Sequence, residues 1–441
     1  MTSHDHDALR QQAWWNVAAG FAVWMLIVAM PAALMPVLYG PIMDETGWSR
    51  GEVMLFSTFK FAAGAVAAFF LGHIVDRFGL NRVMYASMAG TGLAIASLLV
   101  IESLWAYCAA AAVLGASILG CITCTKVLIS RWFAARLGFA VGVALTAAGI
   151  AGLIVPLAAA ELSASIGWRM TAAIMGCTIF FVLMPFYRWK ARETPAVYGV
   201  TAEEFDAPRE RAVAAAAADT SQQPEFRDLL RSRTFWAVVF VQTLIGAIDH
   251  GMNDHLPLYL DRDADLGPRL AAVGFSTVIV AGALGKLGFG WLFDRYSVRA
   301  VALCCVLMGV GILLGLGVSG LFTFVLFALV RGASHGGALV DIPVVAKHVF
   351  GIRTLSKTIA ILSAANSLGA AIGAGGVGFA HDATGSYASS FLALVALSLL
   401  AAMLIWRIEP CYWVRGRHGI RGAAAALPAE APSERFRPTR P

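Results

Sequence analysis

The stretch GHIVDRFGLNR (72–82) follows a long apolar segment, and GWLFDRYSVR (290–299) follows another. The glycine, aspartate and arginine that the two stretches share recur after a constant 218 residues, as Gly72, Asp76 and Arg77 and then as Gly290, Asp294 and Arg295. Near the same offset, RWFAAR (131–136) stands opposite HVFGIR (348–353). Landmarks that repeat in the same order indicate a duplicated structural unit.

The composition points to a bilayer. Of the 441 residues, 59% are hydrophobic and only 14% are charged, and the mean hydropathy is +0.73. A water-soluble core cannot bury so much apolar surface, and about 20 apolar residues span the ~30 Å of hydrocarbon as a helix. Alternating segments of about ten residues, typical of membrane β-strands, are absent from the sequence, so we expect an all-α integral membrane protein. About twelve apolar stretches are found, at 14–39, 51–75, 82–101, 105–130, 137–161, 169–189, 234–260, 269–293, 299–319, 321–348, 355–380 and 385–407.

A long polar interruption divides the chain. Residues 191–233 hold Pro195, Pro208 and Pro224 together with mixed charges, a composition typical of linkers. Half of the apolar stretches precede it and half follow. We therefore predict an N-terminal tail (1–13), a six-helix bundle (14–190), the linker (191–233), a second six-helix bundle (234–407) and a C-terminal tail (408–441).

Basic residues set the expected orientation, because cytoplasmic loops retain lysine and arginine. With the N-terminus inside, most of the 33 lysines and arginines fall in cytoplasmic segments. The others lie outside (Arg50, Arg169, Arg262, Arg269) or within apolar stretches (Lys60, Lys126, Lys286, Arg331). The polar start MTSHDHDALRQQ lacks the apolar run of a removable signal peptide. We expect a multi-pass plasma-membrane protein with both termini in the cytoplasm, whose net charge of +6 reflects topology rather than nucleic-acid binding.

Cys121 and Cys124 form a C-x-x-C pattern within an apolar stretch. A metal or redox site would need further ligands, and no second cysteine pair or histidine accompanies them. Packing of small residues is the favoured interpretation, and the sequence predicts neither a metal nor a cofactor.

The motif G-x-x-x-D-R-x-G at residues 72–79 and its weaker copy after the eighth stretch resemble the major facilitator superfamily, across essentially the whole chain. Smaller motifs are similar to its branch of monocarboxylate transporters and oxalate:formate exchangers: GWSRGEV (47–53), RWFAARLGFAVGVALTAAG (131–149), GWR (167–169), HLPLYL (255–260) and FAHDATGSY (379–387). The G-P-x-x-G-G signature of many drug exporters is absent from the fifth stretch, which reads GIAGLIVP (149–156). The resemblance implies twelve transmembrane helices in two pseudo-symmetric six-helix bundles, which expose a midplane site alternately to each side.

The repeated Asp-Arg loops suggest a conformational role. An aspartate at the C-terminal end of its own helix opposes the macrodipole, at a cost of about 0.3 to 1 kcal/mol, and so needs a partner. The resemblance implies that Asp76 faces the start of span eleven near Arg353, and Asp294 the start of span five near Arg136, only while the cytoplasmic side is closed. Plain topological anchoring of the arginines is the alternative. The residues assigned to this gating role are Asp76, Arg77, Arg82, Asp294, Arg295, Arg136 and Arg353.

Lys286 lies about 12 Å inside the cytoplasmic boundary at Asp294, at ~1.5 Å per residue. A charge at such depth costs roughly 2.5 to 3.5 kcal/mol and is a functional candidate by default. In the resembled branch a cation at this position of span eight pairs with the substrate carboxylate. The usual residue is arginine, whose planar fork grips a carboxylate with two bonds, so the lysine leaves the geometry of the bound anion open. Fixed neutralisation by Asp341 is the alternative.

Two further charges lie on the cytoplasmic side of the midplane. Asp341 is about seven residues inside the end of span ten and Lys126 about five inside the end of span four, at ~1.5 Å each. Since the repeat makes these spans equivalent, the two side chains are predicted to meet as an inner gate. Snorkelling of Lys126 to the interface is the alternative.

Span seven carries the unusually polar stretch DHGMNDHLP (249–257). Asp249 lies at a depth similar to Arg331 of span ten, so the two could pair. Asp249 and the histidines are expected to line the cavity or carry a proton; a zinc site is a weaker alternative. Lys60 either contacts the same cavity or reaches the outer interface, and Asn366 contacts substrate or another helix. The predicted substrate-binding residues are Lys286, His255, Asp249, Arg331 and Asn366.

These features predict a secondary transporter of small organic anions, above all monocarboxylates, in a lipid bilayer, with proton symport favoured over anion exchange. The first alternative is an exporter of neutral or cationic compounds. A membrane enzyme or a transport-derived sensor is a weaker one, because nucleophile-elbow, phosphate-loop and H-E-x-x-H patterns are absent.

Overall fold

The computed structural model describes residues 3–133, 137–193, 225–318, 321–351 and 354–408. Within those ranges the regular structure is helical throughout, as the composition predicts. Eleven continuous helices are long and apolar enough to cross a membrane, and one bent helix pair completes a twelfth span. The all-α membrane fold is confirmed.

The spans are numbered α1 to α12 in chain order. Their bounds are α1 Gln11–Thr46, α2 Arg50–Phe78, α3 Leu80–Leu99, α4 Leu104–Ser130, α5 Ala140–Ile166, α6 Trp168–Lys190, α7 Arg233–Asp263, α8 Gly267–Tyr296, α9 Val298–Leu316, α10 Leu321–Ala338 with Asp341–Phe350, α11 Leu355–Thr384 and α12 Tyr387–Trp406. A short helix, Phe226–Arg231, closes the described part of the linker region.

Each half of the chain has its own apolar core. In the first half Tyr39 and Phe56 are fully buried in one cluster, and in the second half Phe235 and Phe327 are fully buried in another. Burial of this kind holds each bundle together where helices face one another rather than lipid. The two separate cores agree with the duplication inferred from sequence.

Local sequence explains where two important helices begin and break. Ser49 and Glu52 form a capping box at the start of α2, so that the helix begins at Arg50. The expected span at 321–348 is formed by two helical segments, because α10 is interrupted at residues 339–340 and bends by 47°. Asp341 is the first residue of the second segment. A carboxylate at a helix N-terminus is stabilised by the positive end of the helix dipole.

The two halves meet along α2 with α11 and along α5 with α8. Thr58 Oγ1 donates to the Ala371 carbonyl oxygen at 2.9 Å. A Cβ added at Gly378 would come 2.9 Å from the Gly51 Cα, and one added at Gly152 would overlap Ile279. Glycine therefore permits the close approach of backbones across the interface.

Candidate functional site

A buried cluster of charges lies between α7 and α10. The Asp249 carboxylate accepts from Arg331 Nη2 through Oδ1 at 2.8 Å and lies 2.9 Å from His335 Nδ1 through Oδ2. The side chain of Asp249 is 4% exposed, that of Arg331 1% and that of His335 13%. The expected pairing of Asp249 with Arg331 is therefore present, and His335 is a third member that the sequence analysis did not single out.

Arg331 is held firmly in this cluster. Its Nη2 also donates to the Asp249 main-chain oxygen at 2.9 Å. Its Nε and Nη1 have no hydrogen-bond partner among the described atoms. Gly311 of α9 gives it room, since a Cβ there would come 3.1 Å from the Arg331 Cα. A buried ion pair seldom repays the desolvation of both charges, so its presence in a membrane span favours a functional role over a purely stabilising one.

Lys286 lies on α8, next to the helix segment that carries His335. Gly282 and Gly336 bring α8 and α10 together: a Cβ at Gly336 would come 2.7 Å from the Lys286 backbone nitrogen, and one at Gly282 3.2 Å from His335 Cδ2. Lys286 is partly exposed and forms no ion pair with any residue that the structure describes. Among the residues that the structure describes, Lys286 is thus a cation without a carboxylate partner beside the cluster.

Asp341 is not the partner of either predicted lysine. It is 1% exposed, and its Oδ2 accepts from Gln242 Nε2 of α7 at 2.8 Å. Fixed neutralisation of Lys286 by Asp341 is therefore absent from this conformation. The predicted Lys126–Asp341 gate is not formed either, because Asp341 is turned onto α7 while Lys126 is exposed on α4. A role for that pair in another conformation stays a prediction.

Two predicted substrate-binding residues are engaged elsewhere. His255 is 0% exposed, with Nδ1 3.0 Å from the Tyr387 hydroxyl and Nε2 2.8 Å from the Ala374 carbonyl oxygen. Both ring nitrogens are thus occupied, and the expectation that His255 faces an open cavity does not hold in this conformation. Asn366 Nδ2 donates to the Gln242 carbonyl oxygen at 3.3 Å, which is the interhelical alternative.

Lys60 faces the second half of the protein rather than the outer interface. Its Nζ lies 4.2 Å from the centroid of the Phe61 ring, and Phe61 contacts His250 with ring centroids 4.2 Å apart. His250 Nδ1 is 3.3 Å from Asp254 Oδ1, and the Lys60 ammonium and the Asp254 carboxylate carry opposite charges in this cluster. These four residues join the halves near mid-depth of the spans.

Charged side chains also join the two halves where α2 begins and α11 ends, called the outer end after the expected orientation. The Asp382 carboxylate accepts from the backbone N–H groups of Arg50 at 3.0 Å and Gly51 at 2.8 Å. The Arg50 guanidinium pairs with Asp263 at 2.6 Å. Further pairs across the halves are Arg262–Asp44 and Arg269–Glu161. The outer end is closed by these contacts.

Asp382 and Asp263 were not singled out from sequence. Asp382 lies in FAHDATGSY (379–387), and Arg50 and Gly51 lie in GWSRGEV (47–53). Both motifs carried the family resemblance, and the structure places them against each other. Only their positions at opposite helix ends could have suggested the contact in advance.

The loops at the opposite end, called the cytoplasmic end after the same expected orientation, lack such charged contacts between the halves among their described residues. Asp76, Arg77 and Arg82 are exposed, and Asp76 forms no ion pair within the described residues. Arg77 lies over the Phe78 ring at 5.4 Å and Arg295 over the Trp291 ring at 5.7 Å. The predicted partners Arg353 and Arg136 and the side chain of Asp294 lie outside the described residues.

The chain was compared with known families and proteins. The family described as the Major Facilitator Superfamily matches residues 16–297 and 256–425. Membrane sensor protein UhpC of Escherichia coli (strain K12) is 24% identical over 286 residues, 64% of this chain and 65% of that protein. Monocarboxylate transporter 12-B of Danio rerio is 25% identical over 305 residues, 64% of this chain and 63% of that protein. The chain thus spans slightly less than two thirds of the length of each relative.

Solved structures show the same fold. A bacterial homolog of the human lysosomal transporter Spinster, in an inward-facing and unoccupied conformation, superposes with a TM-score of 0.70 at 14% identity, covering 92% of this chain and 97% of that chain. The D-xylose-proton symporter gives a TM-score of 0.69 at 14% identity, covering 90% and 98%. At this level of identity the likeness concerns the fold alone.

Proposed function

We propose that this chain, a multi-pass membrane protein that belongs to the Major Facilitator Superfamily, is a transporter rather than an enzyme and carries small organic anions, above all monocarboxylates. One observation carries the proposal. Lys286 is a partly exposed cation deep in a membrane span, and no described residue neutralises it. A charge in that setting needs a partner, and a travelling carboxylate would supply one.

Arg331 is a weaker candidate for the same task. Its charge is already balanced by Asp249 at 2.8 Å, and the pair is almost completely buried. Of these two cations, Lys286 is the one that no described residue neutralises. A carboxylate about 4 Å from a lysine gains on the order of 4 kcal/mol at an effective dielectric constant of 20. That gain offsets part of the dehydration of the anion and still permits its release.

The relative named Monocarboxylate transporter 12-B supports this substrate class. Proton symport is favoured over anion exchange, because buried titratable side chains lie beside Lys286. We place the protein in the plasma membrane with cytoplasmic termini, on the distribution of its basic residues. The linker and tails keep the boundaries given above.

Alternating closure of the two ends is the proposed transport cycle. Asp76, Asp294 and the loop arginines would bias the cycle by closing the cytoplasmic end, while Asp382 and Asp263 hold the outer end closed. In this view neither set touches the substrate. Lys126 and Asp341 would meet only when the cytoplasmic end closes.

The proposal is tested by thermal-shift screening of the purified protein against short monocarboxylates, hydroxy acids, dicarboxylates and amines, followed by counterflow of the labelled hit in proteoliposomes. We expect a monocarboxylate to raise the melting temperature and exchange across the membrane. Lys286→Ala should abolish both effects, and Lys286→Arg should retain part of the binding because the charge is kept. Lys347→Ala, which removes an exposed lysine of α10, is the matched control. Stabilisation by an amine that Lys286→Ala leaves unchanged would favour the exporter of cationic compounds instead.

A further inference from the structure

His335 occupies the position between the buried ion pair and the unpaired lysine. Its Nδ1 is 2.9 Å from Asp249 Oδ2, and its ring lies beside Gly282, one helical turn before Lys286 on α8. The Asn253 side-chain nitrogen approaches Nδ1 at 3.0 Å and Nε2 at 3.4 Å. At 13% exposure, His335 is more accessible than either Asp249 or Arg331.

The charges around His335 nearly balance, with one cation in excess. On α7, the Asp249 carboxylate is negative and His250 is a second titratable group; on α10 itself, the Arg331 guanidinium is positive. On α8, the Lys286 ammonium is positive. From α9, the Cys304 thiol donates to the Ser334 carbonyl oxygen and adds no charge. An anion bound at Lys286 would cancel the excess positive charge, so a proton on His335 and an anion at Lys286 would favour each other.

Other titratable groups are less suited to take up a proton when an anion binds at Lys286. Both Asp249 carboxylate oxygens already face a partner, Oδ1 the Arg331 guanidinium and Oδ2 His335 Nδ1, so a proton there would displace one of them. Asp341 accepts from Gln242 through Oδ2 while its Oδ1 has no partner, and within the described residues no hydrogen bond or ion pair joins it to Asp249, Arg331 or His335. His250 pairs with Asp254 and contacts the Phe61 ring, in the cluster around Lys60.

We propose that His335 takes up the co-transported proton, and that it does so together with the anion bound at Lys286. The inference rests on the proposed anion transport and adds the identity of the coupling residue. In the unloaded state Nδ1–H donates to Asp249 Oδ2 and Nε2 keeps its lone pair. The proton adds to the Nε2 lone pair, which gives up its 3.4 Å contact with Asn253 Nδ2, and the added charge of the imidazolium matches that of the carboxylate that binds at Lys286. Release of the anion on the opposite side expels the proton.

The test separates coupling from binding in proteoliposomes. Counterflow of the labelled monocarboxylate at equal pH measures binding and exchange, while accumulation driven by an inward proton gradient, with an internal pH dye, measures coupling. We expect His335→Gln to retain counterflow within about threefold of the wild type, and to lose gradient-driven accumulation and anion-dependent acidification at least tenfold, since one tenfold change corresponds to about 1.4 kcal/mol of coupling. Lys286→Ala should lose both activities. His73→Gln, at an exposed histidine of α2, should lose neither.

Proton uptake by the purified wild-type protein provides a second measurement, independent of whether a variant folds. In weakly buffered detergent solution, the protein should take up close to one proton from the solution for each monocarboxylate that it binds. Coupled accumulation by His335→Gln, or counterflow by the wild type without proton uptake, would overturn the role of His335 and leave anion transport standing. Absence of counterflow for every acid would overturn the proposed function and this inference together.

Discussion

The two ends of the helix pair α2 and α11 differ sharply. At the outer end, the Asp382 carboxylate of α11 caps the first N–H groups of α2, and Arg50 pairs with Asp263. At the cytoplasmic end, Asp76 of α2 is exposed and forms no ion pair with a described residue. One end of the same pair is held by charged contacts, whereas Asp76 at the other end has no ion-pair partner within the described ranges, which leave out Arg353.

The difference follows from helix electrostatics. Each helix carries an aspartate near its own C-terminal end, where the macrodipole disfavours it, and each could place that aspartate at the N-terminal end of the other helix. For Asp382 this contact is present. For Asp76 the corresponding contact, with the start of α11, is the one that the family resemblance implies. Because a rocking bundle closes one end as it opens the other, the two contacts would alternate.

The largest effect is expected when the contacts of Asp382 with the start of α2 are removed at the outer end. Asp382→Ala deletes two charge-assisted hydrogen bonds, and since even one such bond contributes about 1.5 to 3 kcal/mol, we expect the outer end to open at least tenfold more often. A Thr58→Cys reporter, placed where α2 meets α11, should then react with a membrane-impermeant thiol reagent added outside intact cells at least tenfold faster. Net transport should fall by a similar factor.

The parent with its native cysteines gives the labelling background. Arg50→Ala is a graded companion, because it removes the pair with Asp263 but leaves the backbone N–H groups of α2 for Asp382. Its effect should therefore be smaller than that of Asp382→Ala. Unchanged labelling of Thr58→Cys in both variants would show that the contacts of Asp382 and Arg50 are not what keeps the outer end closed.

The sequence predicted the fold well, because apolar length, basic-residue bias and the repeated Asp-Arg loops are local signals. It also predicted the Asp249–Arg331 pair, from matched depth in two spans. It missed His335 as the third member, since depth along one helix does not reveal the direction in which a side chain points. The break at residues 339–340 was missed for a related reason: hydropathy continues across it.

The interpretation of His255 shows where pattern reasoning fails. A polar residue in a membrane span needs either a cavity or a partner, and sequence cannot choose between them. Tyr387 and the Ala374 carbonyl, more than a hundred residues away in sequence, supply the partners. Likewise the family motifs at 47–53 and 379–387 were recognised separately, and their contact emerged only from the fold.

A second prediction concerns Asp76 at the cytoplasmic end of α2. Asp76→Asn removes the charge that would meet the start of α11 when the cytoplasmic end closes. The population of the inward-open state should therefore increase. At the 0.3 to 1 kcal/mol typical of a helix-end charge, the equilibrium shifts about two- to fivefold. Thr58→Cys labelling from outside should slow by that factor, opposite in sign to Asp382→Ala. Transport and labelling at wild-type rates would remove the gating role of Asp76.

Combining the two changes sharpens the comparison. If the aspartates act on opposite ends of one equilibrium, Asp76→Asn should draw the Asp382→Ala variant back toward the wild-type labelling rate. Equal labelling in Asp382→Ala with and without Asp76→Asn would mean that the two ends are independent.

The smallest effect is expected for an ion pair that lies at the same outer end but within one half. Arg169 of α6 pairs with Glu45 of α1 at 2.6 Å, with geometry as good as that of Arg50 and Asp263. Because both partners move as one bundle, Glu45→Gln should change neither Thr58→Cys labelling nor transport by more than about twofold. Being partly exposed, the pair contributes no more than about 1 kcal/mol to stability, so the melting temperature should fall by only a few degrees. An increase in labelling as large as that in Asp382→Ala would instead mean that any loss of charge at the outer end opens it, and the contact between α2 and α11 would have no special part in closure.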